Sequence, residues 1–285
     1  MFFRHALGAL VLLVSTICAA GPVAAADEFK GTWSIIQSDK PGMVRFGLHH
    51  RLRGGNHHHE SDWPVSGFSG LEPLSAGRRD VTFHIDREAG RFDCEGTLRN
   101  GEGTGIFRFT PDARYVKTME SLGFDVSDES MQFGMAVHDV TSEYARAMKA
   151  EKLKDLDTDK LLAFRIFDVT AQFIRELRAE GLAANEADKL IAFRVHGVTA
   201  EMVKEVREAG LDVSEEMLIA FRVHGVSPEY IAKIEKLGFA RPEANQLVAM
   251  RVHGVTPEFI AEMRSRGLKD LSIDQLINLR VHGIH

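Results

Sequence analysis

A seven-residue phrase recurs along the second half of the chain and restricts its fold more than any other feature. It reads FRIFDVT from residue 164, FRVHGVT from 193, FRVHGVS from 221, MRVHGVT from 250 and LRVHGIH from 279. The Ser or Thr of this motif recurs at intervals of 29, 29, 28 and 29 residues, at Thr141, Thr170, Thr199, Ser227 and Thr256. Such a period predicts a helical repeat array, in which each unit buries its apolar faces against its neighbours.

Each unit carries the signals of two short helices. In the last full unit, Thr256 is suited to the N-cap, Pro257 to the first helical position and Gly267 to the left-handed turn that ends the helix. The second helix is expected to begin at Ser272, with Gln275 completing a capping box. Equivalent starts are expected at Ser214 and Asn185. The turns at residues 151–153 and 167–168 lack the glycine, and we expect them to be less regular.

Apolar residues at helical spacing predict which faces are buried. On the first helix, pairs such as Phe259 and Ile260, followed by Met263, form one stripe. On the second helix, Leu190, Phe193 and Val195, with their equivalents in other units, are expected to form another. Neither helix can bury its stripe alone, so the units are expected to stack.

The segment before the repeats has a period of two. Val81, Phe83 and Ile85 alternate with polar residues, and two further alternating runs follow turns, which predicts a three-strand meander. Residues 29–37 and 44–49 are expected to be strands of the same sheet, and residues 50–80 a long His/Gly-rich loop. The predicted fold is α+β: a small amino-terminal antiparallel β domain over residues 27–109, followed by an α-solenoid of helix-pair repeats over residues 110–285.

The first 26 residues have the features of a signal peptide. Arg4 gives a basic start, residues 6–20 are an apolar run, and residues 24–26 are three alanines that offer a cleavage site. No other stretch approaches the roughly 20 apolar residues of a membrane span. The protein is therefore expected to be periplasmic or secreted, with no membrane span in the mature form.

The charge distribution argues against nucleic acid as a partner. The formal net charge is −6, and residues 125–285 hold the excess of acid, with 27 acidic against 21 basic residues. Binding to phosphates requires a basic face. The expected partner of the repeats is an unknown protein or peptide, and no cofactor is expected.

A histidine-rich segment, HHRLRGGNHHHE, is the densest group of possible metal-ligating side chains in the sequence. Its candidate metal ligands are His49, His50, His57, His58, His59 and Glu60. Imidazoles this close in sequence can bring two or three nitrogens to one zinc, copper or nickel ion. Adjacent residues of an extended strand point to opposite faces, so a solvated polar loop without metal is the other interpretation.

Two repeated positions are candidates for function. One is occupied by Arg165, Arg194, Arg222, Arg251 and Arg280. These arginines form either a ridge for an acidic ligand or ion pairs with glutamates of the facing helices. The other position is occupied by His138, His196, His224, His253 and His282. We expect these histidines to close helix carboxyl ends, because units spaced about 8–10 Å apart cannot share one metal ion.

The last helix carries the same apolar pattern as the internal copies, at Leu276, Ile277, Leu279 and Val281. Solenoids normally close with a unit whose outer face is polar. Exposed apolar patches commonly mark an interface. We therefore expect this end to dock onto a second copy or a partner chain.

The unit RVHGVTPEFIAEMRSRGL resembles the helix-hairpin-helix, a DNA-backbone clamp. Over most of the mature chain the sequence is more similar to poorly characterised bacterial exported proteins. In these, a β region ending like FDCEGTLRNGEGTGIFRFTPD precedes repeats containing R-[VI]-H-G-V-[TS]-P-E. Some of them are extensions behind beta-lactam-sensor-type membrane peptidases. This resemblance implies a detached sensor-like or scaffolding module and brings no activity with it.

The sequence favours an interaction protein over an enzyme or a nucleic-acid-binding protein. The sequence contains no Gly-rich phosphate loop, nucleophile elbow, HExxH motif or paired carboxylates in a placed pocket, so an enzyme is not expected. The expected function is a non-catalytic exported protein-interaction or scaffolding module. The alternative is a nucleic-acid-binding repeat protein of the helix-hairpin-helix type.

Overall fold

A computed structural model of the protein describes residues 29–52, 55–71 and 77–283. The expected signal peptide, residues 1–26, lies outside the described residues. Within them, an antiparallel six-stranded sheet is followed by twelve helices of similar length, so the predicted α+β class is confirmed. In these same ranges, no helix has the length and apolar character that crossing a bilayer requires.

The sheet consists of two antiparallel three-strand meanders joined by the pairing of the first strand with the sixth. Its strands are β1 (Phe29–Gln37), β2 (Met43–Leu52), β3 (Gly55–Pro64), β4 (Arg78–Arg87), β5 (Gly90–Arg99) and β6 (Glu102–Pro111). Their order is β3-β2-β1-β6-β5-β4, which confirms the meander of β4, β5 and β6 and the two earlier strands. The sheet curls, because Ser69 beyond β3 exchanges backbone hydrogen bonds of 2.8 and 2.9 Å with His84 of β4.

The prediction of a loop over residues 50–80 is wrong for its first part. Strand β3 pairs with β2 along its whole length, from Met43 opposite Pro64 to Leu52 opposite Gly55. β3 is an edge strand whose side chains are mostly polar, so it lacks the alternation of apolar residues that signals a strand. Its pairing is fixed by β2, whose residues Val44, Phe46 and Leu48 are fully buried.

Trp33 fills the centre of the curled sheet. Its side chain is fully buried and its Nε1 donates to the carbonyl oxygen of Glu95 over 3.1 Å. Two glycines give the indole its space: a Cβ atom on Gly96 would lie 2.6 Å from the ring, and one on Gly105 2.7 Å from Nε1. The Trp33 ring therefore fits in the core because residues 96 and 105, on the neighbouring strands, carry no side chain.

We expect the substitution Gly105→Ala to lower the free energy of unfolding by about 2–4 kcal/mol, because its methyl group would overlap the indole and the backbone of β5. Gly67→Ala is the matched control, since no atom lies within 4 Å of the added Cβ. Urea unfolding followed by tryptophan fluorescence measures both. Equal midpoints for the two variants would contradict this account of the core.

Twelve helices in six pairs follow the sheet in the described part of the chain. The first helices of the pairs, here called A helices, are α1 (Ala113–Leu122), α3 (Ser142–Ala150), α5 (Ala171–Ala179), α7 (Ala200–Glu208), α9 (Pro228–Lys236) and α11 (Pro257–Ser265). The second, or B helices, are α2 (Glu129–Val137), α4 (Thr158–Ile166), α6 (Ala187–His196), α8 (Glu215–His224), α10 (Ala244–Val252) and α12 (Ile273–Val281). Each B helix from α4 to α10 packs against the B helix of the next unit.

Helix starts follow the predicted capping with two corrections. Thr256 caps α11 through its side chain, and Ser272 and Gln275 form the expected capping box of α12. Helix α6 begins after Glu186 rather than Asn185. Strand β6 continues through Pro111, so the helical part begins two residues later than position 110, with Asp112 as the N-cap of α1.

The first, fifth, sixth and seventh residues of the phrase FRVHGVT have a local structural role. In the copy at 193, Phe193 is buried, Gly197 takes the left-handed conformation with φ of 72°, and Thr199 caps α7. The buried Val198 closes the turn, because its amide donates to the Phe193 carbonyl over 2.8 Å. The expectation of less regular turns where glycine is missing is wrong: Lys152 and Asp168 adopt the same conformation, with φ of 54° and 56°.

The sheet and the helices share one hydrophobic core. Phe133 of α2 enters the open end of the curled sheet, with its ring 4.4 Å from that of Phe29 and 5.4 Å from that of Phe109. Helix α2 thus serves both as the first B helix and as a lid on the sheet. This arrangement anchors the helical array to the β domain without a free linker.

Candidate interaction surface

The valine of the repeated phrase forms an exposed apolar row along the array. Its members are Ile166, Val195, Val223, Val252 and Val281. Their exposed fractions are nearly equal, between 48% and 54%. Equal exposure at one repeated position means that the row runs in register from unit to unit.

The row belongs to a wider apolar face of the B helices. In α8, Ile219 and Ala220 lie one turn before Val223 and are partly exposed. The same positions hold Ile191 and Ala192 in α6, and Val248 and Ala249 in α10. We call the row and these partly exposed residues the B face. Because B helices pack side by side, their faces join into one surface.

The prediction that Val195 and its equivalents are buried is wrong. Leu190 and Phe193 are fully buried, but Val195 is 54% exposed. The reason is helical periodicity: Phe193 follows Leu190 by three positions, whereas Val195 follows Phe193 by two, which rotates it by about 200°. The spacing of these three residues in the sequence therefore already indicated that Val195 is exposed.

The arginine row joins successive units. Arg165, Arg194, Arg251 and Arg280 each donate through Nε to a carbonyl oxygen at the carboxyl end of the preceding B helix, or in the turn after it. For Arg251 the acceptor is His224, at 3.0 Å. The row was predicted to form either a ridge for an acidic ligand or ion pairs with glutamates of the facing helices; two of its members pair instead with aspartates of the preceding turn, Arg165 with Asp139 and Arg194 with Asp168. The main partner of the row is the helix end, where cations are favoured.

An aromatic ring lies under four of these guanidinium groups. The ring belongs to the A helix of the same unit, at Tyr144, Phe173, Tyr230 and Phe259, with distances of 4.2 to 5.2 Å from the guanidinium carbon to the ring centre. Met202 occupies this position in the unit of Arg222. Arg222 therefore lacks the cation–π contact that its equivalents make.

The histidine row lies at helix carboxyl ends, as its sequence position predicts. His196 and His224 are the last residues of α6 and α8, and His138, His253 and His282 are the C-cap residues of α2, α10 and α12. His196, His224, His253 and His282 are exposed. They flank the exposed valines and supply polar groups at the border of the B face.

Among the described residues, the β domain covers this face on the first unit, whereas Ile166 of the second unit is 48% exposed. Val137, which aligns with the exposed valines, is 6% exposed. Next to it, the ring of His138 lies 4.8 Å from that of His59 in β3. Arg87 of β4 pairs with Asp139 at 3.5 Å, and Glu88 accepts from the Ser142 amide at 2.8 Å. In this chain, the B face is therefore a surface on which folded protein already docks.

The apolar residues predicted as an interface in the last unit differ in their surroundings. Leu276 is buried, Ile277 and Leu279 are partly exposed, and Val281 belongs to the exposed row. Compared with the internal units, the change is at Leu279, whose equivalent Phe221 is fully buried. Only part of the predicted interface is thus available to a partner.

The predicted metal ligands lie on two faces of the β2–β3 hairpin. His49 and His58 are opposite each other on the outer face, and their Nδ1 atoms are 3.0 Å apart. His50 and His57 are opposite each other on the inner face, where His59 also lies. Glu60 follows on the outer face, with an oxygen 4.0 Å from His58 Nε2. The six residues therefore do not converge, and among the described residues no three metal-ligating side chains are placed to hold one ion.

The inner histidines are held in the neutral state. Burial, with the nearby His57, lowers the pKa of His50 to about 4. Burial, with His138 and His58 nearby, lowers the pKa of His59 to about 4 as well. Burial and Arg165 lower the pKa of His138. These three imidazoles lie between the sheet and α2, where a positive charge would lose its hydration.

Comparisons with family models, curated proteins and solved structures find no match to this chain.

We expect Arg251→Met to lower the free energy of unfolding by about 1–2 kcal/mol, because it removes a charge-assisted hydrogen bond and a cation–π contact. Arg222→Met is the matched control, with an expected loss of less than about 0.5 kcal/mol, since Met202 replaces the aromatic ring. Urea unfolding monitored by circular dichroism measures the difference. Equal losses would show that the stacking contributes nothing.

Acid is expected to weaken the contact between the sheet and α2. The neutral form is favoured in the fold, so the unfolded chain binds protons first as the pH falls below 6.5, and stability is lost from there down to about pH 4. After discounting for solvent screening, His50 and His59 should each contribute about 1 kcal/mol to this loss. Melting temperatures measured from pH 8 to pH 4 test it.

A variant carrying His50→Gln and His59→Gln should show a flatter dependence of melting temperature on pH in that window. His253→Gln, at the exposed end of α10, serves as the control. An unchanged slope in the double variant would mean that other groups cause the acid sensitivity.

Proposed function

We propose that the protein is a non-catalytic, exported interaction module that holds a protein or peptide partner on the B face. The observation that carries the proposal is the in-register row of half-exposed valines and isoleucine on units two to six. Burying the exposed half of one such side chain contributes roughly 1 kcal/mol, so five in line supply several kcal/mol of binding energy. A surface of this kind suits an elongated partner that contacts successive units.

Repetition within the chain supports a role for this position. The other apolar residues of the phrase are required by packing or turn formation, as Phe193 and Val198 illustrate. The half-exposed residue has no such requirement, because a polar side chain would fit a solvent-facing helix position equally well. Five successive units nevertheless carry Val or Ile there.

The alternative of nucleic-acid binding has less support. The arginine row is the most regular set of cations in the repeats. In four of five units, its arginine donates to a backbone carbonyl oxygen. The helical part also carries the excess of acidic residues. Export to the periplasm or the medium follows from the signal-peptide pattern of residues 1–26 and remains a proposal. Self-association through Ile277, Leu279 and Val281 likewise stays a prediction.

A pull-down with the immobilised mature protein, from the periplasmic and secreted fractions of its source, tests the proposal. We expect one or more proteins to be retained by the native chain and reduced at least about ten-fold by the variant Val195→Glu, Val223→Glu, Val252→Glu, since three buried charges would cost several kcal/mol. Quantitative mass spectrometry of the eluates gives the ratio.

The matched control places the same three charges on exposed A-helix alanines, with Ala179→Glu, Ala232→Glu and Ala261→Glu. It should retain the partner at the native level. Retention by all three proteins, or equal loss from both variants, would contradict binding through the B face. Sedimentation of the same proteins over a concentration series reveals whether the partner is a second copy.

A further inference from the structure

The outer pair of histidines on the β2–β3 hairpin has the geometry of a two-ligand metal site. His49 and His58 are directly paired across the strands, and both side chains are exposed. Their rings are 4.1 Å apart, with the Nδ1 atoms at 3.0 Å. The two nitrogens thus lie close enough to bind one metal ion together.

The separation of the two nitrogens is compatible with two adjacent ligands of one metal ion. With metal–nitrogen bonds of about 2.0 Å, a separation of 3.0 Å corresponds to a nitrogen–metal–nitrogen angle of about 97°. A tetrahedral zinc site would need about 3.3 Å between the same atoms. An angle near 90° fits two adjacent positions of a square-planar or tetragonal ion, which is the preference of Cu(II) and Ni(II) with nitrogen and oxygen ligands.

The surroundings leave room for the remaining ligands. The pair lines an open depression of about 380 Å³ together with residues 30–32 of β1 and with His50 and His57, which alternate to the other face of the hairpin, so water can complete the coordination. On the other side of the His58 ring, a Glu60 oxygen lies 4.0 Å from Nε2. When His58 binds metal through Nδ1, its Nε2 carries the proton, and this carboxylate is placed to orient the ring.

We propose that His49 and His58 form an exposed two-imidazole site for a divalent copper or nickel ion, completed by water and supported by Glu60. Binding at this site is independent of the B face, since the hairpin face that carries it points away from α2. The inner residues His50 and His59 take no part, because they face the core side of the hairpin.

Titration of the untagged mature protein with Cu(II), followed by calorimetry and electron paramagnetic resonance, tests the site. We expect one copper per chain with hyperfine coupling to two imidazole nitrogens. His49→Gln and His58→Gln should each weaken binding at least about ten-fold, because a single imidazole loses the chelate advantage. Zn(II) should bind more weakly than Cu(II), in line with the general order of affinities and with the angle.

His57→Gln is the matched control, since it changes the neighbouring residue on the opposite face of the same strand. It should bind copper as the native protein does. Native affinity in His49→Gln and His58→Gln, or an equal loss in His57→Gln, would overturn the assignment. Circular dichroism of each variant separates loss of a ligand from loss of the fold.

Discussion

Hydrogen bonds from arginine to the helix carboxyl end of the preceding unit are the interaction on which the repeat architecture depends. They link α4, α6, α10 and α12 each to the B helix before it and place a cation where the helix dipole favours it. They also give a second reason for the glycine in the repeated phrase. A Cβ atom on Gly225 would lie 2.7 Å from Arg251 Nη2, so a side chain in this turn would force the guanidinium to shift. In two other units, Asp139 and Asp168 stand at the same position in the left-handed conformation and pair with Arg165 and Arg194.

The first unit cannot form this interaction. No helical unit precedes it among the described residues, and Ala136 stands at the arginine position. The β domain takes the place of a preceding unit: Phe133 enters the curled sheet, while Arg87 and Glu88 contact the turn before α3. The sheet therefore acts as the amino-terminal cap that a solenoid requires.

Features that local sequence patterns encode were predicted correctly, whereas features that depend on contacts with residues distant in the sequence were missed. Thr256, Ser272 and the α+β division could be predicted, since caps and periodicity are local signals. Strand β3 could not, because an edge strand of polar residues is specified by its neighbour β2. The roles of Arg165 and its equivalents were equally hidden, since their carbonyl acceptors lie 26 or 27 residues away. The exposure of Val195 was readable from helical spacing.

The contacts that stabilise the array lie apart from the surface proposed for binding. Stacking, capping and turn formation use the buried residues, the arginines and the glycines, and leave the valine row half exposed. A partner on the B face would therefore meet helices already fixed in position, and little conformational entropy of the array would be lost on binding. The same separation allows charges at Val195, Val223 and Val252 with little effect on the fold. Stability and binding can thus vary independently in this protein, because different residues of one phrase serve each.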